Sequence, residues 1–373
     1  MILYILAAAL LVPYSIILVF FRTRWRAMSR FRSRTTDRPG TTVSVIIPAR
    51  NESGTIERCL QGLLTQDYSS GDWEIIVVDD QSQDDTAAII LRMDHPRIKR
   101  LRIADGEPGG KKAALARGIE HARGDLILTT DADCVHPVSW IRTMAAYQAL
   151  TGVQFIAAPV RIADTHTGVG IFQSLDFLSL QGITGAAVHS GWLQMSNGAN
   201  LGFTKAAFAA VNGYTGIDRI ATGDDMLLME KIAVRYPGQV GYCFSPDALV
   251  TTDPVDSWRA FFQQRIRWAS KAVQYRNPRM LPVLFLVYLV NLLLLLAGIL
   301  SLFRPEGGLA WLGLMAWKTF VELLFLWPVA GFFGQRALLA WFPLAQPFHL
   351  LYTVIAGFFG QVRQYQWKGR TLR

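Results

Sequence analysis

The sequence predicts an α/β domain with a mostly parallel sheet, flanked by apolar segments that are long enough to cross a membrane. Three observations lead to this fold class. Between residues 40 and 278, short apolar runs typical of buried strands alternate with segments of helical periodicity. Residues 1–21 and 281–361 are almost continuously apolar. Polar and acidic residues follow three of the apolar runs, at the edge where a parallel sheet binds its ligands.

The first predicted element is a membrane-spanning helix over residues 1–21, which would be roughly 30 Å long. Arginines crowd the residues that follow it, up to Arg34. A cleaved signal peptide carries its positive charge before the apolar stretch, so we expect an uncleaved anchor. The positive-inside rule then places the N-terminus outside and the middle domain in the cytoplasm, at the cytoplasmic (inner) membrane. Residues 22–40 are predicted to form a basic juxtamembrane linker.

Strand and helix signals alternate in the middle of the chain. Strands are predicted at residues 43–47, 74–78, 100–103 and 126–129, with helices between them at 53–66, 84–93 and 111–122. Near-continuous apolar strands separated by helices favour a parallel sheet that is covered on both faces. We expect the catalytic domain to occupy residues 41–254.

Composition and missing motifs exclude several classes of function. The net charge of +9 comes largely from arginines beside apolar spans, which indicates contact with anionic lipid headgroups rather than with nucleic acid. The three cysteines, Cys59, Cys134 and Cys243, offer no disulfide framework and no zinc spacing, which fits a reducing compartment. The chain lacks both the dinucleotide fingerprint G-x-G-x-x-G and the P-loop motif.

The strongest local signal is an aspartate pair, Asp131 and Asp133, directly after the strand at 126–129. Side chains at i and i+2 of a strand share a face, so a turn at its end can direct both carboxylates to one point. Two hard oxygen ligands suit Mg²⁺ or Mn²⁺, which such sites bind together with the phosphates of a substrate. Polar residues also follow the strands ending near Pro48 and Val78. The sequence therefore predicts a nucleotide and metal site at this edge.

Five motifs, in order along residues 42–270, resemble the signatures of the family 2 inverting glycosyltransferases. They are VIIPARNE at 45–52, VVDDQS at 77–82, TDAD at 130–133, TGDD at 222–225 and QRIRW at 264–268. The fourth replaces the family's T-E-D, and the fifth matches its Q-x-x-R-W. The resemblance implies a glycosyltransferase-A (Rossmann-like) fold and a nucleotide-sugar donor. A lysine motif also matches, KKAALARG at 111–118, in which Lys111 aligns with the family's lysine and Lys112 could take its place.

The resemblance also implies roles for the residues at the motif positions. It assigns the metal to Asp131 and Asp133. It assigns donor binding to Pro48, Ala49, Asn51, Glu52, Asp79, Asp80, Lys111 and Asp131. Among these, Asp80 would contact the nucleobase, and Ala49 and Glu52 the nucleoside. The segment at 196–203, which is punctuated by glycines, resembles the family's acceptor-side segment.

The catalytic residues implied by the resemblance lie in its last two motifs. Asp225 is the candidate general base, and Asp224 lies beside it. Either aspartate could instead cap the helix that begins near Met226. Arg267 offers a planar fork of donors for the leaving diphosphate. Gln264 and Trp268 complete the set, and Trp268 could either stack on an acceptor sugar or anchor its helix in the membrane.

The C-terminal third is predicted to be membrane-associated. Residues 255–278 mix aromatic and basic side chains, which is typical of an interfacial amphipathic segment. Residues 279–362 form a transmembrane region with spans at 281–303 and 309–333, and a third apolar stretch at 337–360 that is either a span or a re-entrant or broken segment. Lys318 and Glu322 lie four residues apart within a span, so we expect them to pair. Residues 363–373 are a basic tail.

These expectations describe a membrane-bound inverting hexosyltransferase that needs Mg²⁺ or Mn²⁺. It would move a sugar from a UDP-linked donor to a lipid acceptor and make a glycolipid. The expected partners are a nucleotide sugar, a lipid or glycan acceptor, and membrane lipids. No binding of nucleic acid is expected. The Q-x-x-R-W motif resembles that of ceramide glucosyltransferases and of cellulose or hyaluronan synthase type enzymes, so a polysaccharide synthase is the alternative. Three or four spans are few for an export channel and favour the glycolipid. A non-catalytic membrane scaffold is the alternative of another class, although the chain retains the D-x-D pair and the candidate base.

Overall fold

A computed structural model gives the structure of the protein and describes residues 1–34, 40–69, 71–218, 220, 223–271, 274–362, 365–367 and 370–372. The strands are β1 Val43–Ala49, β2 Trp73–Asp79, β3 Ile98–Arg102, β4 Leu126–Thr129, β5 Phe155–Ala157, β6 Val160–Ile162, β7 Leu201–Thr204, β8 Val240–Tyr242, β9 Val250–Thr252, β10 Tyr365–Trp367 and β11 Arg370–Leu372. The helices are α1 Ile2–Ala27, α2 Ile56–Leu64, α3 Thr86–Arg92, α4 Lys111–Glu120, α5 Trp140–Thr151, α6 Gly168–His189, α7 Lys205–Ala210, α8 Met226–Arg235, α9 Trp258–Ala269, α10 Met280–Phe303, α11 Gly308–Phe333 and α12 Phe342–Val362.

The chain divides into two compact units. The sheet unit comprises Ser29–Ala163, Gln194–Asp253 and Trp367–Arg373, and the helical unit comprises Met1–Met28, Asp164–Leu193 and Pro254–Gln366. Residues 164–193 therefore group with the helical unit, although they lie inside the sequence range 41–254 expected for the catalytic domain. The reason is α6, which is buried along most of its length and packs against α1, α11 and α12.

The sheet unit is built on a mostly parallel sheet, as predicted. In the described part of the chain this sheet has seven strands in the order β3-β2-β1-β4-β7-β5-β8. β1 pairs in parallel with both β2 and β4, so that Ile46 lies opposite Ile76 on one side and Thr129 on the other. β7 runs antiparallel to β4 and β5. Because the three central strands are parallel, the loops that follow β1, β2 and β4 leave the same edge of the sheet.

The core of the sheet unit comes from the central strands and the helix that covers them. Val45, Ile46 and Ile47 of β1 are fully buried, as the continuous apolar runs predicted. α4 packs closely on β1 because Gly118 has no side chain. A Cβ at that position would lie 2.5 Å from Cγ2 of Ile46. This close packing sets the position of the first residue of α4, Lys111, beside the edge of the sheet. The third strand begins and ends earlier than predicted, at 98–102 instead of 100–103.

The helical unit contains the long apolar helices. Among the described residues, four segments are long and apolar enough to cross a membrane: Ile2–Ala27, Met280–Phe303, Pro305–Phe333 and Arg336–Gln361. α1 continues to Ala27, so Arg22, Arg24 and Arg26 lie on the helix and not in a linker as predicted. Arginine is a good helix former, and positive charge near the C-terminal end of a helix is favourable. Residues 35–39 of the predicted linker lie outside the described residues.

A buried polar cluster joins three helices of the helical unit and confirms the predicted pairing of Lys318 with Glu322. The Lys318 ammonium group donates to Oε1 of Glu322 at 2.7 Å and to Oε1 of Gln346 on α12 at 2.8 Å. The Gln346 amide donates to the other oxygen of Glu322 at 2.5 Å, and the Tyr14 hydroxyl of α1 also donates to this carboxylate. The charges are thus satisfied inside the unit, as apolar surroundings require.

The third apolar stretch of the C-terminal region is a short 3-10 helix followed by a continuous α-helix. The 3-10 helix covers Arg336–Trp341, and α12 follows it directly. Pro343 is the second residue of α12, where its missing N–H is not needed, and Pro347 lies within the helix. The expected break therefore falls before α12 and not within it. How many of these helices cross a membrane stays a prediction. Residues 363, 364, 368, 369 and 373 of the basic tail lie outside the described residues.

Candidate active site

The candidate site begins where β1 and β2 end. Pro48 and Ala49 are the last residues of β1, and the Ala49 carbonyl accepts a hydrogen bond from the Asp80 amide at 2.8 Å. Arg50 is buried, and its guanidinium group donates to the carbonyls of Asp80 and Gln81 at 2.7 and 2.9 Å. The loops after β1 and β2 are thereby held side by side, with their polar groups at the same edge of the sheet.

Asn51 and Gln81 give these two loops their shape. Both have positive φ values, 51° and 57°, which residues with side chains rarely adopt. The Asn51 amide donates to Oγ of Ser82 at 3.1 Å, and its side-chain oxygen accepts from the Gln83 amide at 2.8 Å. Asp79 is buried and accepts from the Ser82 amide at 3.0 Å. Asn51 and Asp79, both predicted to bind the donor, therefore maintain the backbone of the site.

Asp80 connects the end of β2 to the start of α4. Both of its carboxylate oxygens lie 3.0 Å from the amide nitrogen of Gly110, which donates to them. Gly110 has a φ of 119°, a conformation that favours glycine, and the next residue begins α4. The helix start is thus fixed beside the strand end. Asp80 is buried, so its carboxylate also serves the structure of the site.

Lys111 is the centre of a charged cluster that also contains Asp131, Asp224, Asp225 and Gly198, which we call the Lys111 cluster. Its ammonium nitrogen lies 2.6 Å from Oδ1 of Asp131 and 3.3 Å from Oδ2 of Asp224. Burial alone would lower the pKa of Lys111, but the carboxylates of Asp131 and Asp224 outweigh it and hold this pKa well above its usual value. The lysine is therefore a permanent cation that joins the D-x-D and T-G-D-D motifs.

The two aspartates of the T-G-D-D motif have different partners. Asp225 is the N-cap of α8, with Oδ1 accepting from the Met226 amide at 2.7 Å and Oδ2 accepting from the Gly198 amide at 3.2 Å. Asp224 is buried and pairs with Lys111, whereas Asp225 is half-buried. The cap expected for one of the two aspartates is thus formed by Asp225. Thr222, the first residue of the motif, lies outside the described residues.

Gly198 lets its loop come close to these charges. A Cβ on Gly198 would lie 2.9 Å from the Lys111 ammonium nitrogen and 3.0 Å from Oδ2 of Asp224. Any larger residue would therefore displace one of them. The segment at 196–203, singled out in the sequence by its glycines, is in direct contact with both acidic residues of the T-G-D-D motif.

Asp133 lies on the other side of the D-x-D motif. Its Oδ2 accepts from the Thr252 hydroxyl at 3.0 Å, and its Oδ1 lies 3.5 Å from the Cys134 sulfur. Burial and the nearby carboxylates of Asp131 and Glu52 raise the pKa of Asp133 to about 6. Thr252 was not predicted, because it lies more than a hundred residues further along the chain in β9 and no local pattern marks it.

The D-x-D carboxylates have the chemistry of a magnesium or manganese site. Their oxygens are hard ligands, and the carboxylates of Asp131 and Glu52 lie near Asp133, so a divalent cation would be favoured among them. Among the residues described, no three histidine, cysteine, aspartate or glutamate side chains are arranged to hold a metal by themselves. Such an ion would therefore take further ligands from water or from the phosphates of a substrate.

The structure distinguishes Lys111 from Lys112, which the sequence left as alternatives. Lys112 is buried, and its ammonium group donates to the carbonyls of Ile217 and Ile220 at 2.5 and 2.7 Å. It thus supports the backbone before the T-G-D-D motif. Lys111, one residue earlier on α4, is the lysine that meets the aspartates.

The Q-x-x-R-W motif lies on α9 in the helical unit. Gln264, Arg267 and Trp268 are half-buried and, at spacings of three and four, share one face of the helix. The arginine between them, Arg265, is buried, so this basic side chain of the predicted interfacial segment faces the interior of the helical unit. Burial is tolerated because Arg265 pairs with the carboxylate of Asp176 on α6.

Comparison with known proteins finds a family model that matches part of the chain and relatives that resemble it. Residues 44–204 match the family model for glycosyl transferase family 2. Over 241 residues the chain is 29% identical to a beta-monoglucosyldiacylglycerol synthase of Synechocystis sp., covering 62% of this chain and 48% of that protein. Over 106 residues it is 33% identical to an undecaprenyl-phosphate 4-deoxy-4-formamido-L-arabinose transferase of Salmonella paratyphi B, covering 28% of this chain and 32% of that protein. The chain therefore spans about half the length of the first relative and about a third of the second.

A solved structure with the same fold covers nearly the whole chain. The mannosyltransferase PcManGT from Pyrobaculum calidifontis, in complex with GDP-Man and Mn²⁺, superimposes with a TM-score of 0.60 over 96% of this chain and 99% of its own, at 22% sequence identity. At this identity the likeness shows the glycosyltransferase-A fold that the motifs implied.

Proposed function

Because the chain contains a glycosyltransferase family 2 domain, we propose that it is an inverting hexosyltransferase that makes a glycolipid. It moves a sugar from a nucleotide donor, in the first place a UDP-hexose, to a hydroxyl group of a lipid. The Lys111 cluster is the observation that carries this proposal. In it, one ammonium group contacts both the D-x-D motif, on the donor side, and the T-G-D-D motif, which holds the candidate base.

The donor side of the site is suited to a diphosphate. Lys111 supplies a compact positive charge. Asp131 and Asp133 would hold Mg²⁺ or Mn²⁺, which when bound neutralises the charge that develops on the leaving diphosphate. By resemblance, Asp80 contacts the nucleobase, and Ala49 and Glu52 the nucleoside. PcManGT, which was solved with GDP-Man and Mn²⁺, makes a guanosine-linked donor the alternative to test.

The acceptor hydroxyl must lose a proton as it attacks the sugar. Asp225 is the proposed general base, because it is more exposed than Asp224, whose carboxylate pairs with Lys111. Attack from the face opposite the diphosphate inverts the anomeric configuration, so an α-linked donor gives a β-linked product. Arg267 of the Q-x-x-R-W motif is proposed to bind the leaving diphosphate, with Gln264 and Trp268 as its companions on α9.

A lipid acceptor is supported by two observations. Four helices among the described residues are long and apolar enough to lie in a membrane with the acceptor. The relatives named above act, by their names, on diacylglycerol and undecaprenyl phosphate derivatives. We propose that the protein resides in the cytoplasmic membrane with its sheet unit in the cytoplasm, where nucleotide sugars are available.

The test is sugar transfer by the purified protein in lipid nanodiscs. Radiolabelled UDP-glucose, UDP-galactose, UDP-N-acetylglucosamine and GDP-mannose are supplied in turn, with Mn²⁺ or Mg²⁺ and with diacylglycerol, ceramide or polyprenyl phosphate. Label that enters the organic phase, depends on an added lipid and is lost in Asp133→Ala supports the proposal. Insoluble or long-chain aqueous product would replace it with polymer synthesis. No incorporation from any donor would favour the non-catalytic scaffold.

A further inference from the structure

The Q-x-x-R-W motif is held in place by a buried polar network within the helical unit. Arg265 and Asp176 are both buried, with side-chain exposures of 4%. The Arg265 guanidinium donates through Nε to Oδ2 of Asp176 at 2.7 Å, and its Nη2 lies 2.6 Å from the same oxygen. The Tyr352 hydroxyl of α12 donates to the other carboxylate oxygen. Three helices, α6, α9 and α12, thus meet at one carboxylate.

Arg265 in turn touches two of the three motif side chains. Its Nη1 donates to the side-chain oxygen of Gln264 at 2.5 Å, and this oxygen also lies 3.4 Å from the Gln173 amide nitrogen on α6. The guanidinium carbon lies 4.2 Å from the ring centroid of Trp268 and 4.6 Å from that of Phe261. The guanidinium is therefore packed against two aromatic rings of its own helix and is hydrogen-bonded to the Gln264 side chain.

Aromatic packing keeps α9 against the same two neighbours. Phe261 is fully buried, with its ring centroid 5.4 Å from that of Phe172 on α6 and 5.3 Å from that of Tyr352 on α12. Tyr352 therefore contacts α9 through its ring and Asp176 through its hydroxyl. Apolar packing fixes the distance of α9 from α6 and α12. The ion pair fixes the rotation of α9 about its own axis, because a buried guanidinium has one favourable direction toward its partner.

We infer that Asp176, through Arg265, is a positioning residue for the Q-x-x-R-W motif. This inference rests on the proposed function, in which the motif acts on the leaving diphosphate. Asp176 does not belong to any of the motifs that resemble the family, and it lies on α6, which carries no residue assigned to the reaction. Loss of its carboxylate leaves the aromatic packing of α9 intact but releases Arg265, and with it Gln264 and Trp268.

The chain offers a matched control, because the helical unit contains a second buried ion pair. Lys318 and Glu322 are also buried and hydrogen-bonded, but their partners are Gln346 on α12 and Tyr14 on α1, and none of these side chains lies on α9. Asp176→Asn and Glu322→Gln each leave a buried cation without its carboxylate, so both should lower the Tm of the protein. Only the first should affect α9.

The first measurement does not depend on catalysis. Hydrogen–deuterium exchange of the peptide covering Trp258–Ala269, in nanodiscs, should become at least several-fold faster in Asp176→Asn and stay unchanged in Glu322→Gln. Unchanged exchange in Asp176→Asn would overturn the inference, whether or not the protein transfers sugar. If wild-type protein transfers no sugar at all, the proposed function fails, and the exchange of α9 alone decides whether Asp176 holds this helix.

The second measurement separates positioning from stability. Asp176→Asn should reduce kcat by about 10- to 100-fold, the loss expected from a displacement of about 1 Å, while the Kd for UDP stays unchanged. The double variant Asp176→Asn with Arg265→Met removes both charges, so its Tm should recover toward that of wild type. Its kcat should remain as low as that of the single variant, because Gln264 and Trp268 stay unsupported. Recovery of kcat together with Tm, or equal loss of kcat in Glu322→Gln, would show that the pair only stabilises the fold.

Discussion

Adjacent residues of the same amino-acid type have different roles in the site, because their side chains contact different partners. Lys111 and Lys112 are adjacent, yet one ammonium group meets carboxylates and the other meets backbone carbonyls. Asp224 and Asp225 are also adjacent, yet one pairs with Lys111 and the other caps α8. Substitution of each member of a pair, measured beside its neighbour, therefore separates the roles of the two residues.

The lysine pair gives the first prediction. Lys111→Met should weaken UDP binding and reduce turnover by roughly 100-fold, the scale of one preorganised electrostatic group. Lys112→Met should leave the Kd for UDP unchanged but lower the Tm, because two buried carbonyls lose their donor at a cost of about 1–3 kcal/mol each. Calorimetry of UDP binding and thermal unfolding of both variants measure this. The opposite assignment, with Lys112→Met losing affinity, would mean that the wrong lysine has been placed in the site.

The D-x-D carboxylates give the second prediction, which concerns metal. UDP should bind more tightly in the presence of Mn²⁺ or Mg²⁺, and Asp133→Ala should abolish this difference and reduce turnover about 100-fold or more. Thr252→Val is the graded control, because it removes only the hydroxyl that donates to Asp133 and should reduce metal affinity by about 10- to 100-fold. Calorimetry of UDP binding, with and without the metal, measures this difference in affinity for the wild-type protein and both variants. Full activity in excess chelator would refute a metal requirement.

The aspartate pair of the T-G-D-D motif gives the third prediction. Asp225→Asn keeps the size of the side chain and one oxygen for the cap at Met226, but it loses the basic carboxylate and the second oxygen, which accepts from Gly198. It should therefore bind UDP almost normally and turn over about 10²- to 10⁴-fold more slowly. Initial rates and UDP affinities of Asp225→Asn and Asp224→Asn, measured side by side, provide the comparison. If only Asp224→Asn shows slow turnover with normal binding, Asp224 is the base.

The strands β1, β2 and β4 bring the site residues together, because all three strands end at the same edge of the sheet. β1, β2 and β4 are parallel, so Ala49, Asp79 and Thr129 end neighbouring strands toward one edge of the sheet, with Thr129 opposite Ile46 of β1. The alternation of apolar runs predicted this edge and the residues that follow each strand, since it depends only on local pattern. The partners that connect the loops, such as Gly110 for Asp80 and Gly198 for Asp225, could not be predicted, because each contact joins residues far apart in the sequence.

α6 shows what the sequence pattern did not reveal at the scale of an element. Its apolar run contains Gln173, Asp176 and Gln181, and all three are buried. Asp176 pairs with Arg265, a residue 89 positions later in the chain, so no local pattern could reveal the pair. Arg265 lies in the segment 255–278, which the sequence predicted to be interfacial. Buried charges become predictable only when both partners are known.

α9 gives the fourth prediction, which compares two arginines on one helix. Arg267 occupies the motif position, whereas Arg259 is exposed near the start of α9. Lysine keeps the charge but loses the planar fork of donors. Arg267→Lys should therefore reduce turnover at least 10-fold without releasing the protein from membranes, and Arg259→Lys should be nearly silent. Rates and membrane fractionation of both variants measure this, and equal effects would mean that the segment is only an anchor.

The whole molecule combines a segment that matches the glycosyl transferase family 2 model, residues 44–204, with long apolar helices in one chain. The fold class, the mostly parallel sheet and the apolar segments could all be predicted from composition and periodicity. The division into units could not, because the helical unit takes its residues from three separate stretches of sequence and one of them, 164–193, interrupts the sheet unit. This organisation is consistent with the proposed transfer from a soluble donor to a lipid acceptor.

The most direct test of this account is the anomeric configuration of the sugar in the purified lipid product. Wild-type protein is incubated with an α-linked UDP-hexose and lipid, the labelled product is isolated from the organic phase, and its anomeric proton is observed by NMR. The account predicts a β-glycoside of the lipid, formed by a single displacement with Asp225 as base, and none from Asp225→Asn on the same timescale. An α-glycoside would contradict it, because retention requires a different mechanism at this site.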